Sequence, residues 1–363
     1  MPSRTLTGDL ALRDLTDPYA GPHALQEMTA QILAALTARH PAGLVLDRGT
    51  RIVDVADNYD HLGYSAAART RDSRYTRYVS DTRMLRSQTS ALIPPVLRRL
   101  AAEGRHSALI ACPGLVYRRD VIDRLHTGTP HQLDLWLLSP AREDLRAWIA
   151  TAVEAALPGV EWRANPASHP YTTGGLELEA HVGGDRVEIG EGGHAARPVL
   201  EAAGLPPNVS GLALGLGLDR LVMLRKGIPD IRLLRSTDPR VAAQMLDLSP
   251  YRPVSAHPPA RRDVSIAVPA ATTPEDLGDR VRDALGEDSH LVEEVSVRST
   301  TPASALPAAA RERLAIRPGE VNVLLRVVLR DLNGSIPVPV ANNLRDRIYE
   351  ALHHCGSALR RTA

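Results

Sequence analysis

VYRRDVIDRLHTGTPHQLDLWLLS, residues 116–139, is the stretch whose reading decides the fold. Its end, HQLDLWLLS, alternates side-chain character as a strand does, with successive residues facing opposite sides. Upstream, SALIACPGLVYRRD (107–120) reads as strand, turn, strand. Downstream, Ser139-Pro140 predicts a helix start, with Ser as N-cap and Pro at the first helical position, running on through DLRAWIATAVEAAL. Further on, GDRVEIGEGG (184–193) reads as strand to turn, and SGLALGLGLDRLVML (210–224) as strand to helix. Before the quoted stretch, apolar residues at helical spacing (Leu25, Met28, Ile32, Leu33, Leu36) predict a helix from Pro22 to Arg39, stopped by Pro41. The runs GLVLD and RIVDVAD are short and apolar, and 93–102 is a second amphipathic helix. The expected class is α+β, an antiparallel sheet flanked by helices.

The proline-rich run from Leu248 to Pro259 reads as a linker, which splits the chain into units at 1–250 and 251–363. Beyond it the pattern restarts. RDVSIAV is a strand, and a helix follows that is capped at Thr273-Pro274. HLVEEVSVRS and VNVLLRVVLRD are strands, VANNLRDRIYEAL a helix, and 357–361 a last short strand. That order, βαββαβ, is ferredoxin-like.

Composition bounds the function. At 363 residues the chain is long for one ordinary domain, and its 44% apolar share with mixed charge fits sizeable cores. No run approaches the ~20 apolar residues of a membrane span. The N-terminus lacks a basic region leading into an apolar core, so no secretory signal and a cytoplasmic location are expected. Cys112 and Cys355 are the only cysteines, without metal-ligand spacing. A net charge of +1 gives no global attraction to nucleic acid. Lys226 is the only lysine, which is most simply a codon-usage effect of a GC-rich genome, though arginine also suits phosphate recognition. Phenylalanine is absent while nine tyrosines remain, which suits a protein made while phenylalanyl-tRNA is scarce or mischarged.

Four ordered segments carry a resemblance. They are DNYDHLGYS (57–65) with LRSQTSALIP (85–94); VYRRDVIDRLHTGTPHQLD (116–134); HPYTTGGLELE (169–179); and VEIGEGG (187–193) with GLALGLGLDRLVML (211–224). In order and spacing they resemble the catalytic domain of phenylalanyl-tRNA synthetase, a class II aminoacyl-tRNA synthetase. The second is similar to its motif 2 and the last includes its motif 3. The segment from His257 onward resembles the family's ferredoxin-like anticodon-binding domain. The whole resembles the family's single-chain, organellar form, which is compatible with a monomer or a homodimer.

The resemblance implies ATP and Mg²⁺ as cofactors, and an amino acid and tRNA as partners. By the motif 2 match, Arg118 contacts the α-phosphate and His126 lies near the other phosphates. By the motif 3 match, Arg220 lies against the adenine and the γ-phosphate, and Glu188 is the candidate magnesium or ATP-side carboxylate. Guanidinium groups suit this chemistry, since they stay charged and offer paired donors to phosphate. Gln88, Ser90, Gln132 and Asp134 match the positions that hold the amino group. Gln88 replaces a common His and Asp134 a Glu, and both keep acceptor chemistry.

The side-chain pocket departs from the family. Its Phe-Pro-Phe pair is His169-Pro170-Tyr171 here, Pro130 replaces a Phe, and Ala213 is flanked by Leu212 and Leu214. Either the polar tips of His169 and Tyr171 meet a substrate other than phenylalanine, or they meet solvent and neighbours around a phenyl-shaped slot. Three functions compete. The first is a tRNA ligase for phenylalanine or a modified or polar aromatic analogue. The second is a paralogue delivering the adenylate to a small molecule, peptide or carrier protein. The third is a non-catalytic RNA-binding regulator. The retained arginines favour an enzyme.

Overall fold

A computed structural model describes residues 6–41, 43–121, 123–254 and 257–353. Its strands run in chain order as Leu44–Leu46 (β1), Ile52–Asp54 (β2), Arg83–Leu85 (β3), Ala108–Leu115 (β4), His131–Ser139 (β5) and Trp162–Pro166 (β6). Thr172–Val182 (β7), Asp185–Ala195 (β8) and Ser210–Gly217 (β9) follow, and then Ala260–Pro269 (β10), Val292–Pro302 (β11) and Glu320–Leu329 (β12). One seven-stranded sheet has the order β1-β4-β5-β9-β8-β7-β6. All its pairings are antiparallel except β1 with β4.

β5 lies inside this sheet and is buried on both faces, which is why its polar positions stand out. Leu133, Leu135 and Leu137 join one core with Leu212, Leu214 and Leu216 of β9. That core is covered by the helices Ala24–Arg39, Leu145–Ala156 and Leu218–Lys226. Trp136 and Leu138 face the other way, into a second core with Tyr171, Ala213 and the helix Ile93–Ala102. Asp134 shares that second face, because side chains two apart on a strand point alike.

Three local expectations are corrected. The run 107–120 is one strand, β4, ending at Leu115. Val116 and Arg118 then bond the carbonyls of Pro130 (2.9 Å) and Gly128 (3.0 Å), an open arch in which proline and glycine replace regular strand partners. Ser139 does not cap a helix. It is the last residue of β5, opposite Ser210, and the helix begins at Leu145 behind Asp144, whose side chain accepts from the Ala147 N–H at 3.1 Å. GDRVEIGEGG is strand from Asp185 onward: the turn comes at its start, at Gly183 and Gly184 with φ of 62° and 87°. Its glycines are there for closeness, since a Cβ on Gly190 would collide with the Gly215 carbonyl.

Beyond residue 260 a separate core forms. β10, β12 and β11 make an antiparallel sheet covered by the helices Pro274–Leu285 and Val338–Leu352, with Val264, Ile266, Leu325, Val281, Leu344 and Ile348 inside. Thr273 and Asp276 close a capping box at the first of those helices. The described order is βαββα with a short helix, Ala308–Arg313, inserted between β11 and β12; the strand expected at 357–361 lies outside the described residues. The arch 116–130 touches this unit. Arg119 pairs with Asp276 (2.6 Å) and Asp279 (2.5 Å), and Arg282 donates to the carbonyls of Asp120 and Val121.

Arg86 locks the strand leading to Gln88. Its guanidinium is buried and donates to the carbonyls of Leu115 (2.8 Å) and Arg48 (2.7 Å), with Asp14 at 3.8 Å. A Cβ on Gly114 would fall inside contact distance of its Nη2. Gly114→Ala should therefore cost about 2–4 kcal/mol, combining overpacking with displaced charge-assisted hydrogen bonds. Urea denaturation of both proteins checks this, and an unchanged midpoint would contradict the assignment.

Candidate active site

A cavity of about 380 Å³ opens on the face of the sheet that carries Asp134, a size suited to a small ligand. Its wall is assembled from five places in the chain: the arch 116–130, the turn at 87–92, the start of β5, the middle of β8, and the passage from β9 into the helix Leu218–Lys226. The loops around Tyr64 and around His169 close its inner end.

Arg118 and Arg220 both line this cavity, although they are far apart in sequence. Arg118 lies on the arch, with its side chain 40% exposed and Asp120 at 3.9 Å. Arg220 is more enclosed. Its Nη1 donates to Glu188 Oε2 (3.2 Å) and to the Glu188 carbonyl (3.1 Å), and its Nε to the Leu125 carbonyl (3.4 Å). His126 lines the same cavity, its Nδ1 hydrogen-bonded to Asp123 at 2.7 Å. Two guanidinium groups thus line one cavity, and that of Arg220 is firmly braced. Such a surface fits a polyphosphate, because guanidinium donors are already oriented. Among the described residues no group of three or more His, Cys, Asp or Glu could hold a metal. Glu188 could give Mg²⁺ one carboxylate, with phosphate oxygens supplying most of the rest.

The same wall also carries acidic and amide groups. Gln88, Ser90, Gln132 and Asp134 line it together. Gln132 Oε1 accepts from the Thr89 N–H at 3.2 Å, and Gln88 bonds the Asn58 carbonyl and the Tyr64 hydroxyl. Asp134 accepts from the Ser90 hydroxyl and from Trp136 Nε1 at 2.9 Å. Burial pushes its carboxyl up to about 7, which the two hydrogen bonds only partly oppose.

His169 and Tyr171 line the cavity as well, and their polar tips converge on Glu191. Tyr171 donates to Glu191 Oε1 at 2.9 Å and His169 Nε2 meets Oε2. The bond to Glu191 raises the His169 imidazole above its ordinary range. Burial works to raise Glu191, but His169 and Tyr171 hold it below the usual carboxylate range. The tips thus meet a neighbour, and that neighbour is itself a carboxylate in the wall. Sequence reasoning missed Glu191, because a residue among Gly190, Gly192 and Gly193 reads as part of a turn.

Ala213 is not brought to the wall. It faces the same side as Asp134 but lies opposite Trp136, one row deeper, buried in the core with Trp136 and Tyr171. The Trp136 ring, stacked on Tyr171 at 6.5 Å, shares that core with it.

Native Asp134 keeps its proton up to about pH 7, whereas an unfolded Asp releases it near 3.9. The stability tied to that proton is complete below pH ~4 and is lost as pH rises through ~7. Asp134→Asn removes this loss. Between pH 4 and pH 8 the parent protein should lose up to roughly 4 kcal/mol more stability than the variant. Urea titrations at both pH values measure the difference, and parallel pH dependence in the two proteins would contradict it.

Comparison with known proteins adds the family. A model described as "tRNA synthetases class II core domain (F)" matches residues 12–245. The chain is 32% identical over 264 residues to "Phenylalanine--tRNA ligase, chloroplastic/mitochondrial" of Arabidopsis thaliana, covering 68% of this chain and 59% of that protein. It is 30% identical to "Phenylalanine--tRNA ligase alpha subunit" of Prochlorococcus marinus (strain MIT 9313), covering 64% of this chain and 69% of that one. It is 24% identical to "Probable phenylalanine--tRNA ligase, mitochondrial" of Drosophila melanogaster, covering 86% and 78%. The match to the Arabidopsis protein thus spans less than two thirds of that relative's length. With a family model over most of the chain and the two arginines lining one cavity, the chain belongs to the class II tRNA synthetases of the phenylalanyl-tRNA synthetase-like family.

Proposed function

We propose that this protein activates an amino acid with ATP as an aminoacyl adenylate and transfers it to tRNA. The substrate is phenylalanine or a polar aromatic analogue. The observation that carries the reading is the polarity of one cavity. Arg118, His126 and Arg220 line it together with Ser90, Gln132 and Asp134, so groups suited to phosphate and to an ammonium share one cavity. An amino-acid carboxylate that attacks the α-phosphate needs orientation and a partner for the charge building on the phosphoryl oxygens. Arg118 supplies that partner at the α-phosphate. Arg220, braced by Glu188, holds the nucleotide. Gln132 and Asp134 accept from the ammonium group.

Residues 1–250 act as the catalytic unit and 251–363 as the anticodon-binding-type unit. The Drosophila relative matches 86% of the chain, so its alignment runs into that second unit. This favours tRNA as acceptor. One observation favours the alternative, a non-tRNA acceptor. Arginine and carboxylate numbers are almost equal from Tyr251 onward, and Arg347 is tied to Asp288 and to the Ala284 and Leu285 carbonyls. Phosphate contacts dominate nucleic-acid affinity, so the acceptor needs its own assay.

ATP–pyrophosphate exchange across a panel of amino acids tests the first half. Arg118→Ala and Arg220→Ala should each lower it by about 10²–10³-fold, the scale of a lost transition-state donor. Full activity in both variants removes the site assignment. Incubation with labelled amino acid and tRNA tests the second half, and label on tRNA is the expected result. Adenylate formed while tRNA stays unlabelled would instead point to another acceptor.

A further inference from the structure

The Glu191 carboxylate has no part in the activation chemistry just described. Asp134 of β5 stands opposite Gly215 of β9, and Gly215 stands opposite Glu191 of β8. The three form one row across adjacent strands and face the same side of the sheet. At ~4.8 Å per strand, the two acids are roughly 10 Å apart at the backbone. A Cβ on Gly215 would stand 3.8 Å from Asp134 Oδ2 and 3.9 Å from Glu191 Cγ, so the glycine leaves the interval between them open.

Ser90 and Gln132 stand with Asp134, which assigns that acid to the ammonium group. Glu191 has a different setting. Its two oxygens are clamped by His169 and Tyr171, yet its side chain remains 35% exposed in the cavity wall. A carboxylate offers about four acceptor positions, so some remain open to a ligand. The surroundings suit a ring: Tyr171 lies 6.4 Å from Tyr64, centroid to centroid, and is stacked on Trp136.

We propose that Glu191 reads the substrate's side chain, and that the preferred amino acid carries an N–H or O–H donor there. The class is a hydroxy- or amino-substituted aryl ring, or a heteroaryl ring with N–H. This rests on the amino-acid activation proposed above and narrows its substrate. A bare phenyl ring laid against Glu191 displaces water from a carboxylate and returns no hydrogen bond. A donor-bearing ring replaces the lost water. Sites built in this way reject the analogue that lacks the donor by orders of magnitude.

The test uses the full chain in ATP–pyrophosphate exchange with phenylalanine, tyrosine, 4-aminophenylalanine, tryptophan and histidine. At least one donor-bearing member should exceed phenylalanine by 100-fold or more in kcat/KM. Glu191→Ala should cut that preference below 10-fold. Glu191→Gln, which keeps an acceptor oxygen and the shape, should retain part of it. The unsubstituted protein alone decides if the alanine variant fails to fold. Phenylalanine used as well as the donor-bearing members overturns the inference and leaves amino-acid activation standing. No exchange with any member overturns both.

Discussion

The register between β5, β9 and β8 is the constraint on which the site depends. A slip of one residue would turn Asp134 and Trp136 into the leucine core and present Leu133 and Leu135 to the cavity. Both faces of β5 are buried by apolar residues of different clusters, so the register is fixed from two sides at once. Glycine makes the approach of β8 to β9 feasible, because a side chain at Gly190 would meet the Gly215 carbonyl. The polarity of the cavity is thus an outcome of core packing: the same strand that fills the leucine core holds a carboxylate out of water on its other side.

The charged groups of the cavity differ in how they are stabilised. Arg220 is held by Glu188 and by backbone carbonyls, so its charge is satisfied before any ligand arrives. Asp134 has hydrogen-bond donors but no ion pair among the described residues, and burial keeps it largely protonated up to about pH 7. A bound ammonium group would change that balance by supplying the missing charge. Glu191 already has its compensation in His169 and stays ionised. One carboxylate is thus poised for a cation, and the other is already charged and aimed.

Much of this was legible in the sequence. The helices Ala24–Arg39 and Ile93–Ala102 follow from apolar spacing, and the site arginines from two motifs whose order and spacing leave little freedom. What was not legible is instructive. Ser139-Pro140 has the composition of a helix start, but strand pairing with Ser210 holds Ser139 in the sheet, and Asp144 provides a later cap. Ala213 sits in the expected motif, yet Trp136 covers it, and the size of the neighbour opposite cannot be read from the motif. Glu191 was hidden because three nearby glycines suggest a turn. Only pairing across β9 shows a strand whose glycines permit closeness while Glu191 between them faces the cavity.

The absence of phenylalanine and the polarity of the pocket are physically connected. Every aromatic ring here carries a polar atom, and a buried polar atom must find a partner. Around this cavity each one does. Tyr59 donates to the Thr70 carbonyl, Tyr64 to Gln88, Trp136 to Asp134 and Tyr171 to Glu191. A pocket walled by phenyl groups needs none of these partners. One walled by tyrosine and histidine brings amides and carboxylates in beside the rings, as Gln88 beside Tyr64 and Glu191 beside His169 and Tyr171. Replacing phenyl groups in such a wall therefore changes more than its shape: each ring with a polar atom brings a second polar group in with it.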